Sequence, residues 1–435
     1  MPDATSPLAP LAPLAPTAPT APDEARVSTT APEPGDRASR ITGADGLRAF
    51  AALWVVGSHL FQRLAPQPGS WVEDVRLLMM KGPFGVSIFF VLSGMLLSAP
   101  FWRAYLTGRP FPRIGHYTRR RVARILPGFY ASLAVSSLVA LALVPDAPYR
   151  LVRFLAGVTF TSGFHWATFF PVPLNGPLWS IGFEVVSYVL MPLAMWGLFR
   201  LRRRAWIAVA SWVAVMAVVV GANQWIVTAL VPSAEGRGWQ YGDVGGAKEW
   251  MPSYNPVGFF AHFCLGIAAA AAITWWQVRR DTRRHWGFDV VAAIAIGGSA
   301  WLVWVNREPA EPTYLTNVQG QPYLFPWFAG LVALALVGLA HSRLLGRLVD
   351  TRFARYTARV SFGIYIWHYL LISVVEHSSG GRLAYGAIRE PGMHLALSAA
   401  ILVVTYAVAT ASWRWIERPA LMSRWARGVS VRPGG

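Results

Sequence analysis

A single cysteine in 435 residues, Cys264, excludes an intrachain disulfide and a cysteine zinc cluster. Charge is scarce too. Asp, Glu, Lys and Arg make up 14% of the chain, against about 25% in a soluble domain. Acidic residues are the scarcer sign, 21 against 39 basic ones, for a net charge of +18. Several catalytic signatures are missing. There is no GxSxG elbow, no Walker loop, no HExxH and no paired acidic metal site. A serine triad is therefore poorly supported, and no metal is expected. A metal site gathered from the scattered His59, His262 and His368 is the weaker alternative. No continuous apolar core precedes Ile41, which argues against a signal peptide. No period of about 20 to 50 residues recurs, so the chain is not a repeat array.

What is present is apolar. The chain is 54% hydrophobic, with 21 Trp and 14 Tyr suited to water–lipid boundaries, and its mean hydropathy is +0.39. This composition predicts an all-α polytopic membrane protein. Ten stretches are long enough to cross a hydrocarbon core of about 30 Å, the first marginally. They lie near 45–64, 84–106, 122–144, 175–199, 205–231, 254–276, 287–305, 323–342, 360–377 and 392–416. Basic clusters follow the even-numbered stretches, at Arg103 to Arg124, Arg200 to Arg204, Arg279 to Arg284, Arg343 to Arg359 and Arg414 to Arg432. That positive-inside pattern puts both termini in the cytoplasm. It also accounts for the basic excess without nucleic acid. Leu151 to Phe164 is apolar but short, so it reads as re-entrant or interfacial; counting it as a span gives eleven helices. Residues 1–40, rich in Pro and Ala, read as a disordered cytoplasmic tail. A transmembrane domain at 41–421 and a basic tail at 422–435 complete the expected organisation. Residues 65–83, 145–174, 232–253 and 305–322 read as the longer outer loops.

The first span, ITGADGLRAFAALWVVGSHLF, organises the rest. Arg48 and His59 lie eleven residues apart, so they share a stripe about 16 Å apart along a helix. Ionisable groups inside a membrane are costly and usually mark a functional site. Arg48 is placed to hold an anion, and His59 to serve as a general base. In RRRVARILPGFY, Arg121 and Arg124 share a face and can chelate a phosphate, or simply hold anionic lipid. In NGPLWSIGFEVVSYVL, Trp179 reads as an interfacial anchor, and Ser180 and Glu184 stack one turn apart. Glu184 needs a partner on another helix, with His59 or an arginine as candidates. His368, in SFGIYIWHYLLI, reads as a satisfied interfacial histidine or a substrate contact. IERPALM reads as a helix end, with Pro419 stopping the helix.

Together these residues resemble the integral-membrane acyltransferase family 3, O-acyltransferases of cell-surface glycans and some antibiotics, over roughly 41 to 421. GADGLRAFAALWVVGSHLF is similar to its first-helix motif, an arginine and a histidine with ten residues between them. FFVLSGMLL (89–97) resembles its second-helix block, and Arg121 and Arg124 fit its RxxR signature. LWSIGFEVVSY stands where the family has LWSLSVEEQFY; Glu184 falls on the first acid, and Val185 replaces the second. YIWHYLLI and IERPALM resemble its closing motifs. The resemblance implies a cytoplasmic acyl-coenzyme A donor, with acetyl the default, and a sugar hydroxyl as acceptor. It assigns Arg48, Arg121 and Arg124 to the donor. Catalysis falls to His59 and Glu184, with Glu184 orienting the imidazole, or to an acyl-His59 intermediate. Ser180, Trp179 and His368 are left as substrate contacts. Some members carry a fused SGNH-type hydrolase domain, so a separate extracytoplasmic acyl-accepting protein is a further expected partner. The bacterial plasma membrane is the expected location. The reading from another class is a transporter or flippase of a lipid-linked glycan, with His59 and Glu184 on its proton or substrate path.

Overall fold

The computed structural model describes residues 41–201, 204–230, 247, 251, 253–279, 284–307 and 322–428. The expected tail at 1–40 lies outside the described residues. So do most of the loops at 232–253 and 305–322, parts of two basic clusters (202–203 and 280–283) and the end of the chain at 429–435.

The described chain is helical. In order it forms α1 (Ala44–Phe61), α2 (Trp71–Met80), α3 (Phe84–Thr107), α4 (Ile114–Leu143), α5 (Arg150–Val158), α6 (Trp179–Phe199) and α7 (Ala205–Leu230). Then come α8 (Pro256–Arg279), α9 (Trp286–Val305), α10 (Trp327–His341), α11 (Leu345–Val349), α12 (Arg352–Ser378) and α13 (Pro391–Ser412). A π-helical turn (Trp413–Glu417) leads into α14 (Arg418–Met422) and α15 (Arg424–Arg427). Among the described residues there is no strand, only an isolated bridge between Leu64 and Ile388.

Each of the ten expected stretches holds a helix. Among the described residues, eight helical segments are long and apolar enough to cross a membrane, which makes this a multi-pass membrane protein. The two below that measure are α1, whose 18 residues include Asp45, Arg48 and His59, and α10, with 15 residues. Leu151 to Phe164 opens with α5, only nine residues long. At about 1.5 Å per residue it falls well short of the bilayer core.

Two details differ from expectation. The stretch 65–83 is not all loop. Ser70 caps α2 by accepting from the Glu73 N–H (3.3 Å), and the Glu73 carboxylate reaches back to the Gly69 N–H (2.5 Å). The S-x-x-E spacing of a capping box was there to be read. Pro419, expected to stop a helix, instead sits in the first turn of α14. A first-turn residue needs no intrahelical N–H bond, so proline is tolerated there.

Helices α3, α8 and α12 are the most buried, while α7, α9 and α13 lie mostly on the surface. Between α3 and α8 the backbones nearly touch. A Cβ at Gly94 would meet the Phe263 carbonyl oxygen at 2.1 Å, and one at Gly266 would meet that of Val91 at 2.0 Å. Small residues permit such approaches between membrane helices. Helix α1 packs on α3 and α12. Its first turn is held from below by Asp350, whose carboxylate accepts from the Gly43 N–H (2.8 Å) and the Gly46 N–H (2.9 Å). A carboxylate satisfies the free donors of a helix start and suits its partial positive charge.

Candidate active site

The site is built along α1. His59 lies near its last turn, half-buried, with its imidazole against that of His368 on α12: Nδ1 to Nε2 is 2.9 Å. His368 is wholly buried, and its Nδ1 faces two carbonyl oxygens, Ile364 (3.0 Å) and Tyr365 (2.8 Å). Carbonyls only accept, so His368 Nδ1 carries a proton. In neutral His368, Nε2 is then an acceptor. His59 must therefore donate from Nδ1, and the lone pair of neutral His59 resides on Nε2. That nitrogen makes no hydrogen bond among the described residues. The Tyr369 ring closes edge-on against the His59 imidazole, 4.9 Å between centroids.

Toward the start of α1 the arginines converge. The charges of Arg48 on α1 and Arg121 on α4 both act on Arg124, and that of Arg121 also reaches Tyr117 and Tyr188. Among the described residues, Glu417 is the carboxylate ion-paired with any of the three: Arg124 Nη1 to Glu417 Oε2 is 3.4 Å. Glu417 is fully buried, and its other oxygen accepts from Ser412 Oγ (3.3 Å). The Arg124 guanidinium also lies over the Trp413 ring (5.2 Å). Arg124, paired with Glu417 and within the field of Arg48 and Arg121, makes a ready anion site with them.

Glu184 lies elsewhere than expected. Its Oε1 accepts from Ser93 Oγ (2.9 Å) and from the Tyr188 hydroxyl one turn on, with no bond to His59 among the described residues. Its charge also reaches Tyr117 and Tyr365. Two hydroxyls thus replace the basic partner that the bare sequence called for. Ser180 Oγ and Tyr365 OH share a 2.7 Å bond, and both reach the Pro177 carbonyl. This clasp joins α6 to α12. Trp179 is not at an interface; it is 8% exposed and packs among Phe169, Phe183, Tyr254 and Phe259. His262 bonds Ser87 Oγ (2.8 Å) in the core of the bundle. Among the described residues, no group of three or more His, Cys, Asp or Glu side chains is placed to hold a metal ion.

Sequence reasoning passed over what stands just beyond His59. Arg63, one turn on, is 4% exposed. Its Nη1 donates to the His59 carbonyl (2.7 Å), and its Nη2 pairs with Glu376 Oε2 (2.6 Å). The signal was available as a second cation four residues past the histidine.

The acyltransferase domain description matches residues 41–414. Nodulation protein 10 of Rhizobium leguminosarum bv. viciae is 26% identical over 408 residues, covering 89% of this chain and 96% of that one. Acyltransferase MdmB of Streptomyces mycarofaciens is 25% identical over 409 residues, 88% of this chain and 92% of its own. Peptidoglycan O-acetyltransferase OatA of Listeria monocytogenes is 24% identical over 397 residues, 87% of this chain. The chain spans about half the length of OatA (55%) and of a Bacillus subtilis relative (54%). No solved structure matches it.

Proposed function

The chain belongs to the acyltransferase family whose domain spans residues 41–414, and from that membership we propose that it is a membrane O-acyltransferase with His59 as its general base. The donor is acyl-coenzyme A entering from the cytoplasm, and the acyl group is acetyl, by analogy with the O-acetyltransferase relative. The acceptor is a hydroxyl of a sugar-containing molecule. The observation that carries this reading is the His59–His368 pair, which leaves the Nε2 lone pair of His59 unused.

Arg48, Arg121 and Arg124 hold the donor's phosphates. Its arm then follows α1 over the roughly 16 Å that separate Arg48 from His59. Glu184 and Tyr188, neighbours of Arg121, flank that arm rather than orient the imidazole. His59 Nε2 takes the acceptor's hydroxyl proton as the oxygen attacks the thioester carbonyl. The C–O bond forms, the C–S bond breaks, and the proton passes from Nε2 to the departing thiolate. His59 returns to its starting tautomer without a net change. The ten helices all span, with both termini cytoplasmic.

The test is thiol release from a panel of acyl-coenzyme A donors by purified protein. His59→Ala should lower release by about 10²- to 10⁴-fold, and Arg121→Ala should raise the donor KM. Undiminished release by a stably inserted His59→Ala protein overturns the reading.

A further inference from the structure

At the far end of α1 from Arg48, the chain between α12 and α13 folds back over the helix terminus. Three backbone bonds clip it there: Gly386 N–H to the Gln62 carbonyl (3.0 Å), Ile388 N–H to that of Arg63 (3.0 Å) and Ala65 N–H to that of Ile388 (2.8 Å). Gly386 has φ 65°, a left-handed turn open to glycine without strain. The fold-back lays Tyr385 over Arg63, 4.5 Å from guanidinium carbon to ring centroid. Tyr385 is 57% exposed, so much of its ring stays open to solvent. Its hydroxyl bonds that of Tyr369 (2.8 Å), and the Tyr369 ring is the one that closes on His59. Two side chains therefore link an exposed aromatic surface to the base.

The chemistry of this cluster is selective. The Arg63–Glu376 pair cancels its own charge, so it does not favour an anion or a cation. Arg63 is buried and engages the His59 carbonyl, Gln62 Oε1 and Glu376 from beneath Tyr385, so the half-buried Glu376 carboxylate is the group of the pair that faces outward, as an acceptor. Two phenols add hydroxyls that both donate and accept. An open aromatic face beside paired donors and acceptors suits a neutral ring that is apolar on its C–H face and rich in hydroxyls at its edge. We propose that Glu376, Tyr369 and Tyr385, braced from beneath by Arg63, form the acceptor subsite, and that its ligand is a neutral pyranose sugar stacked on Tyr385 with one hydroxyl delivered to His59. This inference rests on the acyltransferase reading of His59.

The experiment is saturation-transfer NMR of the full chain in lipid nanodiscs. The probes are methyl glucoside, methyl mannoside and methyl N-acetylglucosaminide. At least one should show transfer that falls more than fivefold in Tyr385→Ala and by a smaller factor in Tyr385→Phe, which keeps the ring but not the hydroxyl. Because Tyr385 lies largely exposed, elution as a single species should confirm that both variants fold. Transfer that is absent for all three glycosides, or equal in wild type and Tyr385→Ala, overturns the subsite and leaves Tyr385 as an interfacial aromatic. Thiol release by wild type and His59→Ala is measured on the same preparations. Loss of the subsite with His59-dependent release intact refutes only the subsite, whereas release independent of His59 refutes the reading beneath it.

Discussion

An imidazole has two nitrogens, and which one is free decides whether it can take a proton from an acceptor. In this chain the decision is made two residues away from the chemistry, by the carbonyls of Ile364 and Tyr365 acting through His368. In the proposed mechanism His368 is thus a positioning residue. Replacing it with Ala releases His59 to flip or change tautomer, and thiol release should fall by about 10²- to 10⁴-fold, as when a catalytic histidine loses its orienting partner. Donor KM should change little. The pH profile separates this from simple damage. With His59 as the proposed base, transfer requires its neutral form, so the rate should fall on the acid side, and the midpoint of that fall should move in His368→Ala. A rate loss with an unmoved midpoint would make His368 merely structural. At this scale the sequence was partly legible. Arg48, His59, Arg121 and Arg124 stand out because each is an ionisable group in or beside an apolar run. The His59–His368 contact, 309 residues apart, and the Arg63–Glu376 pair, 313 apart, are set by packing, which a single sequence does not display.

Among the elements, the π-helical turn at Trp413–Glu417 bears most directly on the site. Such turns place one extra residue in an α-helix and are frequent at functional sites. Here the turn ends on Glu417, the buried partner of Arg124. Glu417→Ala should leave the turn in place and remove only the carboxylate. Arg124 would then lose its carboxylate, and parting a buried pair costs about 3–5 kcal/mol. The expected outcome is a donor KM raised at least tenfold and a lowered Tm. Unchanged donor KM would detach Glu417 from donor binding. From IERPALM alone this residue looked like the close of a helix. A π turn leaves no mark in composition or period, so the burial of Glu417 was not readable.

Over the whole molecule, the proposed sidedness makes a direct prediction. Cys264, the one cysteine, is fully buried, so Cys264→Ala should provide a clean background for labelling. In it, Arg347→Cys should react with an impermeant maleimide only from the cytoplasmic side. Arg389→Cys should react only from the other side. Labelling of both from one side would refute the arrangement. Helix positions were the most legible feature at this scale, because apolar length registers in sequence wherever a helix must match a bilayer. Helix neighbours were not. The near-contact of Gly94 and Gly266 with facing carbonyls has its own consequence for life in a bilayer of variable thickness. Proteins meet mismatch by tilting or sliding their helices, but two backbones interlocked at paired notches cannot slide past one another. Adjustment to a thicker or thinner membrane must therefore fall on the surface helices α7, α9 and α13, while α3 and α8 keep the depth of the site constant.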